Sequence, residues 1–181
     1  MARALFILPE TLKKNSIVNG STDPDLFVNY MYLAQDIHLH DFLGTDLYRR
    51  LQAGMLADDL TANEIILLDD YIQDTLIHFA MYIYLPFSPY NIANGGAIRL
   101  SPENTETISP SEMEKLALKH KGFAEYYAQR LVSYLCDNKD LYPEYSTNTG
   151  ADIKPSKSVH NAGGFFIPGD KPTNEFWKID E

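Results

Sequence analysis

Cysteine is almost missing from this chain. One residue, Cys136, stands in 181, which excludes an intramolecular disulfide and fits a reduced, cytosolic origin. There is no C-x-x-C pair, no glycine-rich phosphate loop opening a helix and no nucleophile elbow, so the usual signatures of redox, nucleotide and acyl-transfer chemistry are lacking and no enzyme is expected. Long apolar runs are lacking as well. Residues 4–8 are apolar but Pro9 stops them, and residues 76–87 are too few to span a bilayer, so neither an export signal nor a membrane segment is expected.

Positive charge is scarce where it would matter for nucleic acid. Residues 15–114 hold fifteen acidic side chains against Arg49, Arg50 and Arg99, a net −12, so the whole chain's −10 leaves the two ends together at +2. Affinity for phosphate comes largely from Lys and Arg displacing counterions, so sequence-specific DNA binding is disfavoured. Solubility alone is an alternative use of such acidity.

What is present is helix signal. The run 61–87 reads as one long helix around which the rest is arranged. Thr61 and Glu64 form a capping box, and Leu60 and Ile65 a hydrophobic staple. Asp69, Asp70, Gln73 and Asp74 fall within about 140° of arc opposite a stripe of Ile65, Leu68, Ile72 and Leu76. Beyond Leu76 the only strongly polar side chain up to Leu85 is His78, which requires burial on every side, in the chain's own fold or in a neighbour. Pro86 ends the helix.

Ahead of this run, residues 1–22 read as an arm with a short extended piece and one helical turn over 9–14. Asp23 and Pro24 then start a helix with a core stripe of Leu26, Tyr30, Leu33, Ala34 and Ile37. Gly44 breaks the chain, Thr45 caps a short helix carrying Leu47, Tyr48 and Leu51, and Gly54 suits a left-handed C-terminal position before a linker of 55–60. After Pro86, the flanks of Asn94-Gly95 pattern as a β-hairpin, Tyr90 to Ile92 against Ala97 to Leu100. A second capping box, Ser109 and Glu112 with Pro110 at the first helical position, opens a helix to about Asp137. Its stripe is Met113, Leu116, Ala117, His120, Phe123, Ala124, Tyr127, Leu131, Tyr134 and Leu135, and Gly122 marks a possible bend. The chain therefore divides into an N-terminal arm (1–22), a mainly α core (23–138, a small helical bundle with a protruding loop or hairpin at 86–108) and a C-terminal extended arm (139–181). Phe165, Phe166, Ile167, Phe176 and Trp177 are expected to anchor that last arm, on its own domain or on a neighbour.

No cofactor or metal is expected. His38 and His40 are about 200° apart on a helix and cannot share an ion there, so both are read as surface histidines; His78 and His120 are read as satisfied core or interface residues on packed helices. Twelve tyrosines, many on apolar helices, suit subunit contact at some positions and core filling at others.

Seven stretches in fixed order carry a resemblance: Ala34-Gln35-Asp36, Leu43-Gly44-Thr45-x-Leu47-Tyr48, Leu85-Pro86-Phe87, Asn94-Gly95-Gly96, Ser101-x-Glu103-Asn104, Ala124-Glu125-Tyr126-Tyr127-x-Gln129-Arg130-Leu131 and Tyr142-Pro143-Glu144-Tyr145. Over residues 9–145 the chain resembles the head-tail connector (adaptor or neck ring) family of tailed bacteriophages, of the type found in crAss-like and other Bacteroidetes phages. The resemblance implies a structural virion protein of the neck, assembled in the host cytoplasm. Many copies, twelve by implication, would form a ring beneath the portal protein, extend the DNA channel and give a docking platform for a further neck or tail protein. On that expectation Tyr90, Ile92, Asn94, Gly95, Ile98 and Arg99 contact the portal or an adjacent subunit, and Asp69, Asp70 and Asp74 approach a channel through which DNA passes without sequence-specific binding. The alternative is a monomeric cytoplasmic helical adaptor or regulator that binds one protein partner.

Overall fold

In the computed structural model, which describes residues 3–18, 22–93, 96–99, 108–147, 149 and 152–159, the protein is mainly helical. The helices begin where their caps place them. Thr61 accepts from the Glu64 amide while Glu64 Oε2 accepts from the Thr61 amide at 2.7 Å, and Ser109 and Glu112 make the same reciprocal pair. In chain order the helices are α1 (Pro9–Lys14), α2 (Val28–Ala34), α3 (His40–Ala57), α4 (Ala62–Leu67), α5 (Gln73–Tyr84), α6 (Pro110–Asp137) and the single turn α7 (Pro143–Ser146). Two π-helical turns, Gln35–Leu39 and Leu68–Ile72, join α2 to α3 and α4 to α5 without interrupting the helical path. Between α5 and α6 the backbone of Tyr90–Ala93 (β1) pairs antiparallel with Gly96–Arg99 (β2), Tyr90 opposite Arg99 and Ala93 opposite Gly96.

The apolar half of the central helix finds its cover inside the chain. α5 packs against α2 and α6, and Leu76, Ile77, Phe79, Ala80 and Met81 are all buried. Leu76, Ile77, Phe79 and Met81 each contribute about 1.5–3 kcal/mol when fully covered, which makes this contact a substantial part of the apolar stabilisation.

Four expectations are corrected. First, Leu26, Leu33 and Ile37 are 59, 47 and 55 % exposed, and the buried face of that helix is Phe27, Met31, Ala34 and Gln35. Both sets have helical spacing; the second wins because Gln35 has partners in the chain's first residues. Second, Ile65 is exposed while Leu68, Ile72 and Leu76 are buried. The π turn admits about one extra residue, so the face of α4 lags that of α5 by about 100°. Third, Phe123 is exposed on α6, whereas Ala128 and Val132 are buried. Fourth, Gly54 is an ordinary helical residue in α3, which continues to Ala57; the left-handed residue is Asp58, at φ 54°. Gly54 is small because Leu60 crosses it: a Cβ there would lie 2.6 Å from Leu60 Cδ2.

The boundaries of the arms shift too. Phe6, Ile7 and Leu12 belong to the core, with the Phe6 ring edge-on to Tyr48 at 5.3 Å, so the N-terminal residues are structural and not a free arm. At the other end Tyr142 and Tyr145 are buried, and Tyr142 Oη donates to the Asn63 carbonyl at 2.8 Å.

Candidate functional site

The most specific construction in the molecule is a notch in α3. Gly44 has φ 72° and ψ 162°, outside helical space, so the helix breaks there and resumes at Thr45. In an unbroken helix the Thr45 amide would pair with the Asp41 carbonyl. Here both groups bond to a distant segment: Thr45 N–H donates to Ile153 O at 3.0 Å, and Ser156 N–H donates to Asp41 O at 2.9 Å. Pro155, lying between those two strap residues, fills the space beside Gly44; a Cβ on residue 44 would stand 2.5 Å from the Pro155 ring. Residues 152–159 thus form a strap laid into the helix break.

Side chains fix its register. Thr45 Oγ1 accepts from Ile153 N–H at 2.9 Å and shares a hydrogen bond of 2.9 Å with His40 Nε2. Asp46 accepts from both the amide and the hydroxyl of Thr149, at 3.0 and 2.8 Å. Beyond the notch, Val159 enters a cleft of about 280 Å³ lined by His38, Phe42, Phe79, Tyr82 and Lys121. Lys154 and Lys157 of the strap and Lys139 flank a second groove of about 520 Å³, a positive patch on an otherwise acidic chain.

Beside the notch lies a polar cluster that holds the first residues of the chain. Gln35 accepts from Phe6 N–H at 2.9 Å and donates to Ala4 O at 2.9 Å and to Tyr48 Oη at 3.2 Å. Tyr48 Oη donates to Asp36 at 2.8 Å, and Asp36 also pairs with Arg3. The histidines are not surface residues. His38 stacks on Phe79 with ring centroids 3.9 Å apart, and burial, then Lys121, lowers its pKa to about 4. His40 is half-buried and stacks on Tyr48. His78 and His120 meet across α5 and α6, Nδ1 to Nδ1 at 3.1 Å, so one donates and the other accepts; burial lowers the pKa of both.

The remaining site residues are dispersed. Asp69 and Asp70 are exposed and Asp74 is half-buried, with Arg130 donating to the Asp70 carbonyl at 3.2 Å. Tyr90 is 48 % exposed at the start of β1, beside a cleft of about 320 Å³ that it lines with Tyr82, Pro86 and Met113. Ile92, Ile98 and Arg99 lie on the paired strands; Asn94, Gly95 and the anchors Phe165, Phe166, Ile167, Phe176 and Trp177 lie outside the described residues. Most tyrosines are absorbed internally, as in Tyr71 stacked on Tyr134 at 3.9 Å under the Arg130 guanidinium, whereas Tyr126 is 68 % exposed. Among the described residues no group of three or more His, Cys, Asp and Glu could hold a metal ion, and no helix is long and apolar enough to cross a membrane. Sequence reading missed the strap altogether; Pro155 and the polar residues around it carry no apolar period, and Gly44 was the only local sign that something must lie there.

Fold and notch define a class: an α-helical domain whose broken third helix is completed by its own C-terminal segment. Residues 39–155 match the Family of unknown function (DUF6712), and the chain belongs to that family. The matched span contains both halves of the notch, Gly44 and Pro155. No curated protein and no solved structure matches the chain.

Proposed function

We propose that this chain is a structural, non-catalytic virion protein, one subunit of a head-tail connector ring that sits beneath the portal of a tailed bacteriophage. The observation that carries the reading is the presence of large exposed apolar groups on two separate helical runs. Leu26, Leu33 and Ile37 line one, and Leu118, Phe123 and Tyr126, at 54, 54 and 68 % exposure, line α6. α5 packs against both runs. A ring closed by one repeated head-to-tail contact needs two different surfaces on each copy, and these two supply candidates. The ordered motifs add the neck location, assembly in the host cytoplasm and a twelve-fold ring. The acidic middle of the chain suits a wall past which DNA must slide without being held. In this reading Tyr90, Ile92, Asn94, Gly95, Ile98 and Arg99 touch the portal or a neighbour, Asp69, Asp70 and Asp74 approach the channel, and a further neck or tail protein docks below.

One observation favours the adaptor alternative: the apolar half of the central helix is covered by α2 and α6, so it does not need a neighbour. Mass in solution separates the two. Co-expression with the portal protein encoded in the same genome, followed by light scattering and negative-stain imaging, should give rings of about twelve copies. A monomer at every concentration, with none bound to the portal, would reject the ring.

A further inference from the structure

We propose that the notch at Gly44 is an exchangeable docking site whose partner is a second copy of this chain: in the assembled protein, Thr149 and residues 152–159 of one copy seat in the notch of the next. The inference rests on the ring reading for its setting and on the notch geometry for its specificity.

The notch recognises its occupant mainly through backbone. One donor, Thr45 N–H, and one acceptor, Asp41 O, are presented by the helix break, and an extended segment answers them with Ile153 O and Ser156 N–H. This is the logic of strand addition, in which main-chain bonds give affinity and one pocket gives selectivity. The pocket is the place where Gly44 has no side chain, and its key is Pro155, whose backbone nitrogen would lie 2.9 Å from a Cβ there. Every copy carries both lock and key.

The strap is also cheap to detach. Thr149, Asp152, Lys154, Lys157 and Ser158 are exposed, and Ile153, Pro155, Ser156 and Val159 only partly buried. What holds it is a few hydrogen bonds, exposed at Thr149 and part-buried at Ile153, with the Pro155 ring and Val159, none of these side chains being fully buried. The nearest upstream core residue, Tyr145, stays with its own domain, because it is buried and α7 packs on α3. Only Ser146, Thr147 and Asn148 separate it from Thr149, so the donor's Thr149 reaches at most about 14 Å from its Tyr145. Exchange therefore demands that the acceptor's Asp46 lie within that radius, which fixes which faces of neighbouring copies can meet. Exchange of an identical element conserves every contact seen within one chain, the usual low-cost route to assembly.

The test uses full-length chains in a Cys136→Ser background. One preparation carries Asp46→Cys, the other Thr149→Cys; the mixture is assembled and treated with a short bis-maleimide while mass is followed by light scattering. A covalent dimer containing both variants can form only between copies and is the expected result. The double variant in one chain, at low concentration, cross-links internally and shows that the two thiols can reach each other. Gly44→Ala in the Asp46→Cys chain should lower the intermolecular yield by about tenfold, because residue 44 can no longer take positive φ freely or admit Pro155. An oligomer in which the mixed single-cysteine chains give no covalent dimer, while the double variant still cross-links internally, overturns the exchange and leaves the ring standing. Intermolecular cross-links confined to a closed two-copy species uphold the exchange and reject the ring; a protein that stays monomeric throughout rejects both.

Discussion

Gly44 and Pro155 occupy one space: the ring of the proline lies where the glycine has no side chain, 2.5 Å from the position a Cβ would take. Residue 44 must also hold φ at 72°, a conformation that costs an L side chain about 1–2 kcal/mol. Gly44→Ala should therefore destabilise the protein by about 2 kcal/mol or more, the strain and the displaced strap adding. Urea denaturation measures the total, and amide exchange at Thr45 and Ser156 should accelerate together. Acceleration at Thr45 alone would mean that the strap is held by something other than this notch.

Gln35 bonds both to Phe6 N–H and to Ala4 O, and Gln52 bonds the amide and carbonyl of Ala4, so the two side chains replace a strand partner for this segment. Gln35→Ala should cost about 2 kcal/mol, since the buried Phe6 amide loses its partner while the Ala4 carbonyl keeps Gln52 and the Tyr48 hydroxyl keeps Asp36. Limited proteolysis should then cut within residues 3–8 before any other site. A variant of unchanged stability would show that water serves those groups equally well.

The two capping boxes have the same sequence logic and unequal surroundings. Glu64 is 6 % exposed and receives Arg50 through Nε at 2.8 Å and Nη2 at 2.9 Å, in addition to the Thr61 amide. Glu64→Ala leaves a partly buried guanidinium with fewer partners, and a loss of about 3 kcal/mol is expected. Among the described residues Glu112, on the surface, is held by Ser109, so Glu112→Ala should cost clearly less. Equal losses in thermal unfolding would show that the cap, and not the buried pair, sets the magnitude.

Acid should weaken the fold before carboxylates titrate in bulk. His38, His78 and His120 are held neutral by burial, and a base with a lowered folded pKa is protonated first in the unfolded chain. Stability is thus complete above about pH 6.5 and falls as pH drops from there towards 4. His38 dominates, at roughly 1–2 kcal/mol once its partial access to water is allowed for. Facing it are Lys121, which adds to the depression, and Asp41 and Glu125 in the same cleft; Asp74 opposes the shift at His78. Urea midpoints between pH 7.5 and 4.5 should decline, and His38→Gln should flatten the decline. A midpoint that rises on acidification would reverse the assignment.

The starts of the long helices were legible because capping is local: Thr61 with Glu64 and Ser109 with Glu112 each settle a boundary within four residues. So was the break at Gly44. What fills it was not, since Ile153 and Thr45 are 108 residues apart and the strap has no period to announce itself. The choice between two apolar faces was equally hidden. Leu26, Leu33, Ile37 and Phe27, Met31, Ala34 are both helically spaced, and a polar residue, Gln35, decides between them by what it bonds to.

The two π-helical turns, Gln35–Leu39 and Leu68–Ile72, work as spacers one residue wide. Each lets the flanking helices meet the core at angles that an unbroken 3.6-residue repeat would not allow. A gene of this family could therefore lose a single codon inside either turn and keep both flanking helices with their present faces, because the turn then closes as an ordinary α-helical one. After such a deletion within 68–72, Leu67 would stand four and Glu64 seven residues before Ile72, both still on its buried face, so Glu64 would keep its hold on Arg50. Loss of one residue at these two places would be absorbed by the turn, where inside an ordinary helical stretch it would rotate one face against the other by about 100°.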